Sequence, residues 1–376
     1  MHSAPHIPYD YLVVGSGLFG AVFAREAHDN GKRVAVIEKR NHLGGSVYCS
    51  EQEGIITHEY GAHIFHTNNT EIWDYVNRFT EFEPYSHRVL SRVKGSYYGF
   101  PLNLTTLAQY WNLDSDQAVL HKLSSERAPY SHLEQAQTAE SWLLFSVGAD
   151  LYNHFFKGYT QKQWQRPPSE LPASIVKRVP LRLHSEEPYF ADRYEAMPKR
   201  GYNDLIHNLL NGIPYYTQAD FFESRHFWEQ QAHKIVYTGP IDQLFDYDLG
   251  VLDYRSLRFQ HRVVQKPLYQ PVSVVNHPNP QVPYTRVIEH KHFHSQSQNT
   301  LHSLITEEYP QDFVAGKTDP YYPIRDLKNL QLYKNYHARV DPKRYVLGGR
   351  LAEYQYYDMH QVIGSARAKA KKELSV

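Results

Sequence analysis

Three glycines near the amino terminus have the spacing of a loop that binds a dinucleotide. Gly15, Gly17 and Gly20 follow an apolar run, Tyr9 to Val14, and precede an amphipathic segment that extends to about Asn30. In such a loop the first glycine allows a tight turn, the second lets the backbone approach a pyrophosphate, and the third lets the helix pack on the strand. Because the helix amino terminus attracts phosphate, the pattern predicts dinucleotide binding.

Further glycines and acids favour FAD over NAD as that dinucleotide. Glu38 stands 18 residues after Gly20, at the end of the second predicted strand, where it can bond a ribose hydroxyl. A glycine pair, Gly44–Gly45, follows it, and a second glycine site, Gly348–Arg350, occurs near the other end of the chain. Asp358 would begin the last helix, whose positive end could face the pyrimidine edge of a flavin.

Two histidines, His63 and His66, have a spacing that also occurs in metal sites. No third ligand motif accompanies them, and the single cysteine, Cys49, cannot form a cluster. We therefore predict no metal. A histidine buried in the core is an equally good interpretation of His63.

Composition restricts the class of partner. Lys plus Arg and Asp plus Glu both number 40, so no net charge attracts the chain to nucleic acid or to an anionic membrane. The longest apolar stretch, Tyr11 to Ala24, is too short to span a bilayer, and the first ten residues lack the pattern of a signal peptide. We expect a cytoplasmic protein with no membrane span and no nucleic-acid partner. Its 31 tyrosines suit stacking on flat rings and bonding to phosphates or sugars.

The elements that must position these residues predict an α/β protein. Its parts are a discontinuous FAD-binding Rossmann-like domain, an inserted helical domain and an antiparallel β-sheet domain that binds the substrate. The predicted FAD-binding domain comprises residues 1–82, 196–245 and 335–376. The predicted helical domain comprises residues 100–180, with a mobile loop near 170–182, and the predicted sheet domain comprises residues 83–99, 181–195 and 246–334.

Seven segments, in order, resemble those of bacterial UDP-galactopyranose mutases. The resemblance extends from about residue 9 to 364. Its specific parts are HIFHT, KGYTxKQW and PYTR, since many flavoproteins share the dinucleotide motif. The segments are 13–21 (VVGSGLFGA), 38–45 (EKRNHLGG), 60–67 (YGAHIFHT), 157–164 (KGYTQKQW), 237–242 (YTGPID), 282–286 (VPYTR) and 348–354 (GGRLAEY).

The resemblance implies an isomerase that interconverts UDP-galactopyranose and UDP-galactofuranose and supplies galactofuranose for cell-surface polysaccharide. In that family N5 of the reduced FAD attacks galactose C1 as UDP departs, so the cofactor supplies the nucleophile. An external reductant such as NAD(P)H would prime the flavin, and the protein would be a homodimer.

The resemblance also assigns roles to individual residues. Arg178 and Arg286 would hold the departing diphosphate, with Arg178 on a closing loop, and His66 would complete the catalytic set. The cofactor-binding residues would be Gly15, Gly17, Leu18, Phe19, Glu38, Lys39, Arg40, Gly45, His63, His66, Arg350, Tyr356, Asp358 and Met359. The substrate-binding residues would be Phe155, Phe156, Tyr159, Thr160, Trp164, Arg178, Tyr189, Asn276, Arg286, Tyr322, Tyr356 and Asp358.

Several alternatives stay open at this point. Sequence does not choose between Tyr321 and Tyr322 at the diphosphate, and Phe156 could equally belong to the core. His87 departs from family members that carry an amide there. A flavin oxidase of the amine-oxidase type would share the FAD half but leave Arg178 and Arg286 without a common anion. A non-catalytic nucleotide-sugar binding protein would not need a reducible flavin.

Overall fold

The computed structural model describes residues 8–177, 181–184, 189–297 and 299–375. The strands in these ranges are β1 (Tyr9–Val14), β2 (Val34–Ile37), β3 (Cys49–Gln52), β4 (Ile55–His58), β5 (Phe65–Thr67), β6 (Phe82–Pro84), β7 (Val89–Val93), β8 (Ser96–Phe100), β9 (Tyr194–Pro198), β10 (Tyr215–Tyr216), β11 (Ala232–Tyr237), β12 (Tyr254–Val264), β13 (Val274–Asn276), β14 (Arg286–Glu289), β15 (Ser303–Asp312), β16 (Tyr322–Pro323) and β17 (Tyr345–Leu347). The helices are α1 (Leu18–Asp29), α2 (Thr70–Asn77), α3 (Leu104–Trp111), α4 (Asp116–Arg127), α5 (Ala139–Leu151), α6 (Gly158–Trp164), α7 (Tyr202–Leu209), α8 (Arg225–Gln230), α9 (Leu327–His337), α10 (Gly349–Ala352) and α11 (Met359–Leu374).

A five-stranded parallel sheet carries the glycine loop. Its strand order is β10-β2-β1-β11-β17, and every neighbouring pair is parallel. Leu12 and Val13 of the central strand are fully buried, as expected for a sheet that is covered on both faces. Helices α1 and α11 pack on each other beside this sheet. Because parallel strands end at one edge, the loops after β1, β2 and β11 meet there and form a crevice.

A seven-stranded sheet forms a second layer, in the order β16-β12-β15-β14-β13-β7-β8. Its neighbours are antiparallel except β13 and β7, which run parallel, a pairing that the alternation of residues could not reveal. The long pair β12–β15 extends from Arg255 opposite Asp312 to Val264 opposite Ser303. Together with the Rossmann-like sheet and the helical segment, this confirms the predicted fold class.

The helical segment has its own buried core but is less regular than the spacing predicts. Gly148 has φ 79° and ψ 173°, which interrupts α5, and residues Tyr152–Lys157 form a π-helical turn before α6 begins. Such turns rotate the side chains that follow and often occur near functional sites. Phe155 and Phe156 are both buried by this turn, with 2% and 8% of their surface exposed.

Two predicted features fall partly or wholly outside the described ranges. Within the segment predicted to be a mobile loop, Leu171, Ala173 and Val176 are buried. Arg178 lies outside the described residues, so its predicted place at the diphosphate remains a prediction.

None of the helices in the described ranges has a run of apolar residues long enough to cross a bilayer.

Candidate active site

One large cavity lies where the parallel sheet, the helical segment and the seven-stranded sheet meet. Its volume is about 2120 Å³, and its lining includes Val14 at the end of β1, Trp164 on α6 and Asn276 on β13. Pockets for a single small ligand occupy roughly 300–1,000 Å³. The cavity is therefore large enough to hold two such ligands together.

The glycine loop forms one end of this cavity. Gly15 has φ +104°, and a Cβ there would lie 2.2 Å from Thr238 Oγ1, so no other residue fits without strain. At Gly17, the N-cap of α1, no atom of the described residues, apart from its own chain neighbours, lies within 4 Å of the place a Cβ would occupy. The helix amino terminus thus faces open cavity, an arrangement that suits a pyrophosphate.

Glu38 links the second strand to this loop. One carboxylate oxygen accepts from the backbone N–H and the hydroxyl of Ser16, at 3.0 and 2.8 Å, and the other accepts from the Arg40 N–H at 3.0 Å. Only 5% of Glu38 is exposed. The carboxylate is held rigidly, and its unused lone pairs can accept ribose hydroxyls.

Cationic side chains surround the same end. Arg40 lies 2.8 Å from Asp319 and over the ring of Tyr60, while Lys39 is 3.9 Å from Asp319. Arg350, which also lines the cavity, donates to the Ser46 hydroxyl at 3.2 Å. These contacts fix positive charge beside the glycine loop.

The two histidines of the HIFHT segment also line the cavity. His63 Nδ1 lies 2.8 Å from the Gly61 carbonyl, to which it can donate, so Nε2 is left as the acceptor. Burial, with a further contribution from Arg350, lowers the pKa of His63 to about 4, and the ring is neutral at pH 7. His66 contacts the Asp192 carboxylate through Nδ1 and stacks on Phe190, with ring centroids 3.7 Å apart.

Arg286 provides a fixed cation at the other end. Its Nε lies 2.9 Å from Glu308 Oε2, and 27% of its side chain is exposed, on the cavity, while Glu308 is 1% exposed. Burial alone would lower the pKa of Arg286, but Glu308, Tyr159 and Tyr322 raise it well above its ordinary value. The guanidinium is therefore permanently charged and directed at the cavity.

Aromatic and polar residues complete this end. Asn276 lies opposite Arg286 in the β13–β14 pair and is 8% exposed, while Tyr322 stacks on Tyr356 with centroids 6.0 Å apart. Tyr321 is more buried and packs edge-on against Phe259. These positions favour Tyr322 over Tyr321 as the hydroxyl near Arg286.

The comparisons with known proteins agree with one another. A family model described as UDP-galactopyranose mutase matches residues 154–356, and one described as an NAD(P)-binding Rossmann-like domain matches residues 13–79. A probable UDP-galactopyranose mutase of Klebsiella pneumoniae is 38% identical over 97% of this chain and 94% of its own. The chain belongs to the UDP-galactopyranose mutase family.

Two further proteins of similar length match the whole chain. A dTDP-fucopyranose mutase of Escherichia coli is 35% identical, over 94% of this chain and 96% of its own. A crystal structure titled reduced UDP-galactopyranose mutase superposes with a TM-score of 0.75 at 12% identity, covering 98% of this chain and 94% of its own. The Escherichia coli protein is therefore a relative of similar identity that is named for a different sugar nucleotide. The superposed crystal structure supports the fold.

The cavity of this mutase-family member brings together the predicted site residues that the structure describes. Their individual roles remain predictions. From the cofactor set the lining includes Gly15, Gly17, Leu18, Phe19, Glu38, Lys39, Arg40, Gly45, His63, His66, Arg350, Tyr356, Asp358 and Met359. From the substrate set it includes Phe155, Phe156, Tyr159, Thr160, Trp164, Tyr189, Asn276, Arg286 and Tyr322.

Sequence reasoning missed several residues of this mutase-family cavity. Glu308 is one of many acids in the sequence, and only the strand register places it opposite Arg286. Asp192 and Phe190 contact His66 from a segment with no recognisable motif. His87 is not among the residues that the sequence predicts for the site, yet it lines the cavity. Burial, with Arg286 and His66, lowers the pKa of His87 to about 3.

Metal ligands are a separate question. In the described ranges no group of three or more His, Cys, Asp and Glu side chains is arranged to hold a metal ion.

Proposed function

We propose that this protein interconverts UDP-galactopyranose and UDP-galactofuranose with the help of reduced FAD. The observation that carries the proposal is the large cavity, which has the glycine loop at one end and a fixed guanidinium at the other. A ligand pair bound there would place the flavin next to the sugar, with the diphosphate toward Arg286.

The cofactor end fits FAD on its own features. Gly17 leaves room for a pyrophosphate at the start of α1, Glu38 offers acceptors for a ribose, and the N-terminal end of α11, with Asp358 and Met359, lines the cavity. When bound and reduced, the flavin supplies a nucleophilic nitrogen, N5, for the anomeric carbon.

The protein itself would hold the nucleotide and stabilise the leaving diphosphate. Arg286 is fixed by Glu308 before any ligand arrives, so its charge needs no rearrangement as negative charge develops on the diphosphate. Tyr159 and Trp164 on α6 offer flat faces for uracil. Neutral His63 adds a hydrogen-bond acceptor without another positive charge.

Two other functions, a flavin oxidase and a mutase of a different sugar nucleotide, make different predictions from this one. A flavin oxidase would not need Arg286 in the same cavity as the flavin loop. The Escherichia coli relative, named a dTDP-fucopyranose mutase, makes a dTDP-linked 6-deoxy sugar the second candidate substrate. We further propose a homodimer that works in the cytoplasm, is primed by a reductant such as NAD(P)H and supplies galactofuranose for cell-surface polysaccharide.

One experiment separates these functions. Purified FAD-loaded protein is incubated with UDP-galactofuranose, and in parallel with dTDP-fucofuranose, with and without dithionite, and the products are chromatographed. We expect UDP-galactopyranose to appear only after reduction, and faster than dTDP-fucopyranose. Equal conversion with and without dithionite, or no conversion of either sugar nucleotide, would show that the protein is not a reduced-flavin mutase. Faster conversion of the dTDP sugar would show that the preferred substrate is the dTDP-linked sugar.

A further inference from the structure

The turn between β13 and β14 has few hydrogen-bond donors of its own. Residues 277–285 include three prolines, Pro278, Pro280 and Pro283, which have no N–H to donate. Backbone carbonyls in a half-buried turn still need donors. We call residues 277–285 the proline turn.

The turn supplies some donors itself, such as the Val282 N–H to the Asn279 carbonyl, and a single side chain from α6 supplies more. Lys162 Nζ contacts the His277 carbonyl and lies 3.0 Å from that of Asn279, 2.9 Å from that of Val282 and 2.8 Å from that of Tyr284. The three N–H donors of the ammonium are shared among these four carbonyls. They point in different directions, which suits a ring of carbonyls better than a planar guanidinium does.

A second contact joins α6 to the same turn. Gly158 lies one helical turn before Lys162, on the same face. A Cβ at Gly158 would lie 2.1 Å from the Pro278 carbonyl oxygen and 3.2 Å from Pro280 Cδ. The helix backbone therefore rests directly on the proline turn, and Lys162 fastens it there.

This attachment connects two sets of cavity residues that come from distant parts of the sequence. Helix α6 carries Tyr159, Thr160 and Trp164, and the strands on either side of the proline turn carry Asn276 and Arg286. We propose that Lys162 is a positioning residue that holds α6 on the proline turn, so that the base and the diphosphate of one nucleotide are gripped together. This inference rests on the proposed function and adds a residue that touches neither ligand.

Lys291 offers a matched control in the same protein. Its Nζ also donates to three backbone carbonyls, those of Pro267, Thr300 and His302, at 2.7, 2.8 and 3.2 Å. Lys291 is 2% exposed and is not part of the cavity lining. Losing it removes the same kind of interaction away from the nucleotide.

The test compares Lys162→Met with Lys291→Met in the FAD-loaded protein, using UDP as the probe. In Lys162→Met we expect the Kd for UDP to rise about tenfold or more, with FAD affinity within about twofold of wild type. In Lys291→Met we expect a lower Tm but a UDP Kd within about twofold of wild type. An unchanged UDP Kd in Lys162→Met, or an equal rise in both variants, would overturn the proposal.

Chemical rescue gives a readout that a general loss of stability would not produce. Alkylating a Lys162→Cys variant with 2-bromoethylamine restores an ammonium of nearly the original length. Native Cys49 is buried and burial raises its pKa to about 12, so it should not react. Recovery of UDP affinity supports the proposal, and alkylation without recovery contradicts it.

Amide hydrogen exchange separates this inference from the proposed function. If the wild-type protein fails to bind UDP, the proposed function is wrong. The attachment is then judged by exchange at residues 277–285 alone: faster exchange in Lys162→Met but not in Lys291→Met supports it, and equal exchange overturns it.

Discussion

The two ends of the cavity, to which we assign the cofactor and the nucleotide, are built from different parts of the chain. At the cofactor end the main features are backbone: the turn at Gly15, the open helix start at Gly17 and the N–H groups held by Glu38. At the nucleotide end they are side chains, such as Arg286 and Trp164, brought together from separate elements. The first end depends on local geometry, and the second on how the two sheets and the helical segment pack. Substitutions at the two ends should therefore affect different properties of the protein.

The largest effect is expected at the nucleotide end. Arg286→Ala removes the fixed cation, and we expect kcat to fall by at least about 100-fold, or ~2.7 kcal/mol, while bound FAD stays. The variant also leaves Glu308 buried without its cationic partner, so the Tm of the variant should fall. Turnover is measured by chromatography, and FAD content by absorbance.

A second variant separates charge from stability. Adding Glu308→Gln to Arg286→Ala removes the unpaired buried charge and should recover part of the lost Tm without recovering turnover. If the double variant regained activity, Arg286 would have no direct role.

The next effect is expected at the cofactor end. Gly17→Ala places a methyl group where no atom of the described residues, apart from its own chain neighbours, lies within 4 Å, so the apo protein should keep its Tm. The methyl would intrude on the pyrophosphate, and we expect the Kd for FAD to rise by about tenfold or more, equivalent to ~1.4 kcal/mol. Fluorescence titration with FAD measures it.

Gly20→Ala is the contrasting change. A Cβ there would lie 2.0 Å from the Gly15 carbonyl oxygen, so this variant should lower the Tm of the apo protein itself.

For the Gly17→Ala variant, an FAD affinity equal to that of wild type would show that the pyrophosphate does not lie at the start of α1.

A smaller effect is expected for an aromatic residue at the nucleotide end. Trp164→Ala should weaken UDP binding by roughly 1–3 kcal/mol, the usual contribution of one stacked base, and leave FAD binding unchanged. Calorimetry with UDP and with FAD measures both. A loss of FAD instead would mean that the two ends are not separate.

The last effect concerns the free energy of unfolding as a function of pH, and leaves binding and turnover aside. Burial lowers the pKa of His290 to about 3 and that of His277 to about 4, against an unfolded value of about 6.5. As the pH falls below about 6.5, these histidines become protonated in the unfolded chain but stay neutral in the folded chain. The free energy of unfolding should then fall by about 1.4 kcal/mol per pH unit for each such histidine, until the pH reaches the pKa of that histidine in the folded protein.

One substitution tests the sign of that dependence. His290→Gln should make the decline in unfolding free energy between pH 7 and pH 5 shallower than in wild type, measured by denaturant titration at each pH. His121→Gln, at an exposed position, should leave the slope unchanged. A steeper decline in His290→Gln would mean that His290 is protonated in the folded state.

The same contrast explains what sequence could predict. The glycine loop, Glu38 and the parallel strands follow from spacing, because each depends on neighbours in sequence. The partners of Arg286 and His66 do not, since Glu308 and Asp192 become neighbours only when strands pair or loops fold back. The break at Gly148 and the π-helical turn after it could not be predicted either, because the helical spacing of apolar residues continues through both.

If the proposed function is right, one cavity holds the flavin and the nucleotide at the same time. Equilibrium dialysis of the FAD-loaded protein against UDP, with both ligands counted on each side, measures this. We expect one FAD and one UDP bound per chain at saturation, with a perturbed flavin spectrum. Release of one FAD for each UDP bound would show that the two ligands compete for the same space, and that the cavity does not hold both.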